Sequence, residues 1–368
     1  MRWQGQTLDA VQAEIDDGAL PGLARAGLVR SVQTPEFEGV TFHEVLCKSA
    51  LNKLPEESTL PFRFTVNAFR GCTHACRYCF ARPTHEYLDL DAGADFDSQV
   101  VVKTNVVAVL RRELSRRSWK RDPVALGTST DPYQRAEGRY RLMPGIIGAL
   151  TESGTPFSIL TKGTLLRRDL PLLSLASRQV PVSIAVSLAI GDPELQKAIE
   201  PGTPSPRARL ELIRAITDAG FDCTVMVAPV IPYLTDGVAH LDGLLGEIAA
   251  AGATGVTVFP MHLRGSTRGW FLNWLAEHHP ALIRRYRQLY GRGAYVTPEY
   301  KSWLRGRVEP LVAEHGLGGG AVREPGGGAV RQLGGGAVRQ IGGGAGHRLQ
   351  EPPAPARELV GAAPLTLF

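Results

Sequence analysis

Cysteine is scarce in this chain, with five residues in 368 positions. So few cysteines exclude a disulfide-stapled secreted scaffold, and with the lack of a signal peptide they favour a reducing, cytoplasmic location. Long apolar runs are also lacking, which excludes a membrane-spanning helix of the usual length of about 20 residues. The excess of basic residues is small, with a formal net charge of +5 and a pI near 9.0. Such a balance permits nucleic-acid binding without requiring it.

Three of the five cysteines nevertheless fall within eight residues. Cys72, Cys76 and Cys79 have the spacing C-x3-C-x2-C, which cysteines scattered at random would produce about 0.001 times per chain. Thiolates are soft ligands that suit iron–sulfur clusters, zinc or copper. A [4Fe–4S] cluster normally takes one cysteine at each iron. Three local ligands would therefore leave one iron open to a small molecule.

Zinc is the alternative metal for the same residues. The three thiolates would then be completed by His74, His85 or Cys47. Structural zinc sites usually pair two ligand doublets, and no second doublet is found, because the adjacent His278 and His279 fit the end of a helix. The sequence favours an iron–sulfur cluster, and a zinc-stabilised, non-enzymatic interaction protein stays open as an alternative.

The cysteine motif and its flanks resemble the radical S-adenosylmethionine (radical SAM) enzymes. An aromatic residue, Tyr78, directly precedes the last cysteine, as in the motif of that superfamily. The stretches TVNAFRGC (65–72), CFARPTH (79–85) and GTSTDPYQ (127–134) are similar to the branch related to spore photoproduct lyase, often called DNA repair photolyase-like. The resemblance covers about residues 45–270, and it is more specific for the cofactors than for the substrate.

The resemblance implies a [4Fe–4S] cluster on Cys72, Cys76 and Cys79, with S-adenosylmethionine (SAM) chelating the open iron. It implies that one electron, from a flavodoxin- or ferredoxin-type donor, cleaves SAM to methionine and a 5′-deoxyadenosyl radical that abstracts hydrogen from a substrate. Nucleic acid, in a lyase-like repair reaction, is the leading substrate class. A protein or small-molecule substrate is the second.

From residue 62 onward, apolar strands alternate with amphipathic helices. The predicted strands are residues 62–67, 124–126, 157–160, 182–186, 223–227 and 256–259, and the predicted helices are residues 106–116, 146–151, 207–218 and 241–250. Strands separated by covering helices predict an α/β fold with a parallel sheet. The resemblance implies that this sheet forms a partial (β/α)6 TIM-type barrel.

Four segments are predicted along the chain. An N-terminal extension (1–58) contains a short helix at residues 8–15, and the radical SAM partial barrel follows (59–275). A helical C-terminal cap (276–315) precedes a flexible Gly/Pro-rich tail (316–368), because 14 of the 41 glycines fall within residues 316–346. So glycine-rich a stretch is typical of a linker rather than of a packed element.

Polar residues follow the predicted strands, at the end where α/β barrels build their active sites. The candidate SAM-binding residues are Tyr78, Ser129, Thr130, Asp131, Lys162 and Ser187. A carboxylate suits a ribose diol or an amino group, and a lysine suits the methionine carboxylate. The structural alternatives are a turn around Asp131 and a plain strand end at Ser187. No catalytic residue is assigned.

Three further features lie outside this set. Cys223, at the start of the fifth predicted strand, is interpreted as a small buried apolar residue rather than a hydrogen donor. A basic stripe is either a phosphate-binding surface or a solvated helix face; it consists of Arg111, Arg112, Arg116, Arg117 and Lys120. The terminal Leu365, Leu367 and Phe368 resemble a peptide that docks on the bacterial sliding clamp, although Pro364 replaces its usual glutamine. Folding back onto the chain's own surface is the alternative for this terminus.

Overall fold

The computed structural model describes residues 21–58 and 60–318. Its strands are β1 (Leu28–Gln33), β2 (Thr41–Val45), β3 (Leu51–Lys53), β4 (Phe64–Val66), β5 (Phe69–Arg70), β6 (Gln99–Lys103), β7 (Val124–Leu126), β8 (Phe157–Thr161), β9 (Val182–Ser187), β10 (Cys223–Val230) and β11 (Gly255–Pro260). Its α-helices are α1 (Pro21–Arg25), α2 (Ala94–Ser98), α3 (Val106–Leu114), α4 (Arg135–Tyr140), α5 (Met143–Glu152), α6 (Leu166–Ala176), α7 (Pro193–Ile199), α8 (Pro206–Asp218), α9 (Val238–Ala250), α10 (Thr267–His278), α11 (Ile283–Tyr290) and α12 (Pro298–Glu314).

Seven strands form the main sheet, in the order β11-β10-β9-β8-β7-β4-β3. From β4 to β11 every neighbouring pair is parallel, and β3 is an antiparallel edge strand beside β4. The order of the strands in this sheet follows their order along the chain, so the helices between consecutive parallel strands connect neighbours in the sheet. The predicted α/β class and parallel sheet are confirmed, and each predicted strand overlaps an observed one.

The sequence signals for helix ends hold well in α8. Ser205 caps the first turn by accepting a hydrogen bond from the Ala208 N–H, and Pro206 occupies the first helical position, where its missing N–H costs nothing. Gly220 follows the helix with a φ of 85°, a left-handed conformation that glycine adopts most readily. Ile213 and Ile216 are buried beneath the helix, which therefore covers the sheet as its apolar spacing predicts.

A second sheet, in the order β1-β2-β6-β5, was not predicted. Strands β1 and β2 form an antiparallel pair, β2 runs parallel to β6, and β5 is antiparallel to β6. Strand β5, at one edge of this sheet, ends at Arg70, two residues before Cys72. The N-terminal region thus helps to fix the start of the cysteine motif.

No helix within the described residues is long and apolar enough to cross a bilayer. The predicted helix at residues 8–15 and the tail beyond residue 318 lie outside the described residues. The clamp-binding peptide with Leu365, Leu367 and Phe368 also lies outside them and stays a prediction.

Candidate active site

The three clustered cysteines lie on one loop, residues 71–82, which we call the cysteine loop. It lies at the carboxyl edge of the main sheet. Cys72 and Cys76 are buried and Cys79 is half-buried. Burial, together with the neighbouring thiols of the loop, raises the pKa of the Cys76 thiol well above its ordinary value and that of the Cys79 thiol to about 11. Three thiols so close together suit a metal centre, because metal binding replaces their protons.

A zinc ion and a [4Fe–4S] cluster would place different demands on these thiols. Among residues 21–58 and 60–318, no three His, Cys, Asp or Glu side chains are placed to hold one metal ion. Zinc, with Zn–S bonds of about 2.3 Å, needs its ligands packed around one point, whereas a [4Fe–4S] cluster binds each thiolate at a different iron. His85, one proposed zinc ligand, instead contacts the Gln99 carbonyl through Nε2 at 2.8 Å.

Two buried side chains hold the two halves of the cysteine loop. Gln134 accepts a hydrogen bond from the Thr73 N–H at 2.9 Å. Arg82 donates through Nε to the Cys76 carbonyl at 3.0 Å, and its Nη2 binds both carboxylate oxygens of Asp97 at 2.8 and 3.0 Å. The bonds to the Thr73 N–H and the Cys76 carbonyl satisfy backbone groups of the loop, and Asp97 holds the Arg82 side chain that makes one of them.

Residues 199–202, at the end of α7 and just beyond it, hold the middle of the loop. The Arg77 N–H donates to the Ile199 carbonyl at 2.9 Å, and the Gly202 N–H donates to the His74 carbonyl at 3.1 Å. A Cβ atom on Gly202 would lie 1.9 Å from the Thr73 carbonyl oxygen. Only glycine permits so close an approach of the two backbones.

A buried ion pair, between Glu200 and Arg209, holds the hydroxyl end of Tyr78. The Tyr78 hydroxyl donates to the Glu200 carboxylate, and Arg209 Nη2 binds that carboxylate at 2.5 Å. Burial by itself raises the pKa of Glu200, but the positive charges of Arg209 and Lys162 outweigh burial and hold it below its ordinary value. Arg209 also donates through Nη1 to the Ser187 carbonyl at 3.1 Å, so the pair ties the cysteine loop to the end of β9.

The carboxylate of Asp131 is occupied by groups of the protein. It accepts hydrogen bonds from the Thr161 hydroxyl at 2.5 Å, the Lys162 N–H at 2.6 Å and the Tyr133 N–H at 2.9 Å. His74 Nδ1 lies 3.4 Å from Oδ2, the same carboxylate oxygen that accepts the Lys162 N–H. Burial opposes both charges, yet their mutual attraction prevails, holding the pKa of Asp131 at about 2 and raising that of His74 to about 10. Asp131 therefore joins the cysteine loop to the end of β8, and its contact with SAM stays a prediction.

Ser129 and Thr130 also form hydrogen bonds within the protein. The Thr130 hydroxyl donates to the Phe69 carbonyl at 3.3 Å, and the Ser129 N–H donates to Asn67 Oδ1 at 3.2 Å. These bonds join the end of β7 to the residues that lead into the cysteine loop. Direct SAM contact by either residue stays a prediction.

Ser187 and Lys162 have the polar groups best placed for a ligand. Within the described residues the Ser187 hydroxyl is buried and has no hydrogen-bond partner, which is rare in folded proteins. Lys162 Nζ lies 5.8 Å from the centre of the Tyr78 ring. Burial by itself lowers the pKa of Lys162, but Cys76 and Glu200 outweigh it and raise the pKa above its ordinary value. A half-buried ammonium and an unsatisfied hydroxyl fit a cofactor that carries a carboxylate and hydroxyls.

Cys223 has the structural position that its apolar neighbours predict. It is fully buried on β10, and burial raises the pKa of its thiol to about 12. It therefore packs as a small apolar side chain.

The chain matches one family model and is similar to proteins of other organisms. The family model described as the radical SAM superfamily matches residues 66–242. An uncharacterized protein of Mycobacterium tuberculosis is 70% identical over 319 residues, which cover 87% of this chain and 94% of that protein. An uncharacterized protein of Methanocaldococcus jannaschii is 29% identical over 187 residues, covering 50% of this chain and 65% of that protein.

Solved structures of spore photoproduct lyase share the fold. The structure complexed with dinucleoside spore photoproduct has a TM-score of 0.55 at 15% identity, covering 76% of this chain and 80% of that chain. A mutant of the same enzyme with bound AdoMet and dinucleoside spore photoproduct has a TM-score of 0.56 at 14% identity, with the same coverage. At such low identity these likenesses show the fold alone.

Proposed function

Because the chain belongs to the radical SAM superfamily and is a radical SAM enzyme, we propose that Cys72, Cys76 and Cys79 hold a [4Fe–4S] cluster. The observation that carries this proposal is the set of three neighbouring thiols on one braced loop, with no fourth cysteine beside them. When bound, the cluster and SAM supply a 5′-deoxyadenosyl radical that abstracts hydrogen from the substrate.

The protein's own residues bind, orient and shield in this proposal. Lys162 offers a half-buried positive charge for the methionine carboxylate, and the Ser187 hydroxyl offers a hydrogen bond. Tyr78, held through Glu200, fixes one wall beside the cysteines. Asp131, Ser129 and Thr130 bring the strand ends together around the same space.

We propose nucleic acid as the substrate class, in a lyase-like repair reaction. Its support is the fold shared with spore photoproduct lyase, which is solved in complex with dinucleoside spore photoproduct. An electron donor is required by radical SAM enzymes, and we propose one of the flavodoxin or ferredoxin type, in the cytoplasm. We also propose that the parallel sheet curves as a partial (β/α)6 barrel over residues 59–275, between the N-terminal extension (1–58) and the helical cap (276–315).

Cleavage of SAM tests the proposal directly. The iron-replete chain, reduced with dithionite without oxygen, is expected to convert SAM slowly to 5′-deoxyadenosine and methionine even without substrate. Chromatography of the products measures it, and the same sample without dithionite is the control. A reduced sample with full iron content that forms no 5′-deoxyadenosine contradicts the proposal.

Replacing Ser187 with alanine tests its assignment to SAM. Because its hydroxyl has no partner among the described residues, Ser187→Ala is expected to change the free energy of unfolding by less than about 0.5 kcal/mol. Loss of one hydrogen bond to the cofactor is expected to weaken SAM binding about 5-fold. Equilibrium dialysis with labelled SAM measures the affinity. Unchanged affinity would identify Ser187 as a plain strand-end residue.

A further inference from the structure

Positive charge is concentrated in residues 262–307. This segment holds nine arginine and lysine residues against two acidic ones, Glu277 and Glu299, an excess of seven positive charges. The whole chain has a formal net charge of only +5, so its remainder is slightly acidic. The segment runs from the end of β11 through α10 and α11 into the first half of α12.

The arginines of this segment are not neutralised by carboxylates. Across the part of the chain that the structure describes, none of them forms an ion pair; they are Arg264, Arg268, Arg284, Arg285, Arg287, Arg292, Arg305 and Arg307. Seven arginines elsewhere in the described residues do form ion pairs with carboxylates, Arg30 and Arg168 among them. Unpaired like charges repel one another, and such a concentration attracts anions.

Exposed aromatic rings lie between these arginines. Tyr233 and Tyr295 each expose 39% of their surface. The guanidinium of Arg264 lies 5.2 Å from the centre of the Tyr295 ring, and that of Arg285 lies 5.5 Å from the Tyr233 ring. Rings on which bases stack, beside cations that bind phosphates, are typical of surfaces for single-stranded nucleic acid. We call these four residues and the exposed Arg292 the cap patch.

The cap patch adjoins the cysteine loop. Arg264 follows β11 at the carboxyl edge of the sheet, and the Leu263 N–H donates to the Ala294 carbonyl at 2.8 Å, which brings the segment with Tyr295 to that edge. At the start of α10, the Thr267 hydroxyl donates to the Cys79 carbonyl at 2.9 Å. A strand bound on the cap patch would therefore run beside the candidate SAM site.

We propose that the cap patch is the docking surface for the phosphates and unstacked bases of single-stranded or locally opened nucleic acid. Unpaired guanidinium groups bind the phosphates, and the rings of Tyr233 and Tyr295 stack on bases. This inference rests on the proposed function for its substrate class, and it locates that substrate on the molecule.

The basic stripe after α3 is a competing surface and a matched control. A helix between parallel strands returns the chain to the amino end of the next strand, so Arg116, Arg117 and Lys120, which lie between α3 and β7, are at the amino edge of the sheet. Arg111 is partly neutralised by Glu152 at 3.1 Å. The stripe thus lies at the opposite edge from the cysteine loop.

Fluorescence anisotropy with a labelled single strand of about 12 nucleotides tests the proposal on the full chain. The double variant Arg285→Glu, Arg292→Glu is expected to raise Kd at least 10-fold. It should also flatten the slope of log K against log salt by about 1.4, because each lost phosphate contact contributes about 0.7 for single strands. Tyr295→Ala is expected to raise Kd about 10-fold with an unchanged slope, since it removes stacking rather than charge.

The control variant Arg112→Glu, Arg116→Glu is expected to change neither Kd nor slope. Equal weakening by both charge reversals, or equally tight binding of polyglutamate of similar length, overturns the proposal. The SAM-cleavage assay on the parent protein separates the two claims. A protein that cleaves SAM but does not bind the strand rejects the docking surface alone, whereas one that binds the strand but does not cleave SAM rejects the proposed function alone.

Discussion

Replacing Cys72, Cys76 or Cys79 with alanine is expected to remove the cluster and all SAM cleavage. Each thiolate would bind one iron of the cluster, so the loss of one leaves two irons without a protein ligand. Iron is expected to fall from about four atoms per chain to near zero, together with the visible sulfur-to-iron charge-transfer absorbance. Iron analysis, absorbance and the 5′-deoxyadenosine assay measure the effect.

Cys47→Ala is the matched control for these variants. Cys47 is half-buried, and its backbone N–H donates to Asn105 Oδ1 rather than to the cysteine loop, so its variant is expected to keep both iron and absorbance. Full iron content in the triple variant of Cys72, Cys76 and Cys79 would reject the assignment. Stoichiometric zinc in the parent protein, with no iron bound after reconstitution, would favour the zinc alternative.

Replacing Arg209 with alanine is expected to destabilise the chain by about 3–5 kcal/mol. The change leaves the Glu200 carboxylate buried without its cation, while Tyr78 still donates to it. Both residues of the pair are fully buried, so water cannot replace the lost partner. Denaturant unfolding followed by circular dichroism measures the difference in free energy of unfolding.

The double variant Glu200→Gln, Arg209→Met separates charge from packing. It removes both charges at once and is expected to recover part of the stability lost in Arg209→Ala, because no uncompensated charge remains. A loss below about 1 kcal/mol in Arg209→Ala would mean that Glu200 takes up a proton at little cost. The ion pair would then not be the support of Tyr78 that its geometry indicates.

The main sheet was predictable because its signals are local. Strand β7, for example, is three consecutive buried apolar residues followed by a glycine with a φ of 91°, and such a run reads directly from the sequence. The second sheet was missed because β5 has two residues and its partner β6 follows only after residues 71–98, which hold the cysteine loop and α2. Short strands defined by distant partners leave no periodic pattern.

The candidate site likewise contains residues that the sequence indicates and residues that it does not. The cysteines were predictable from spacing alone, whereas Glu200 and Tyr78 are 122 residues apart and share no motif. Arg82 and Gln134 were missed as supports of the cysteine loop for the same reason. Asp131 stays a predicted SAM-binding residue, and the sequence does not reveal that four groups of the protein already surround its carboxylate.

The contacts of the cysteine loop with residues 199–209 also set an order of events during synthesis. The ribosome exposes Cys72, Cys76 and Cys79 well before Ile199 and Arg209, and domains complete their packing only as their later segments emerge. Until then the Arg77 N–H and the Tyr78 hydroxyl lack their acceptors. Delivery of the proposed cluster to a held loop is therefore expected to follow translation of α8, and a nascent chain arrested before residue 199 is expected to present its thiols to oxidants instead.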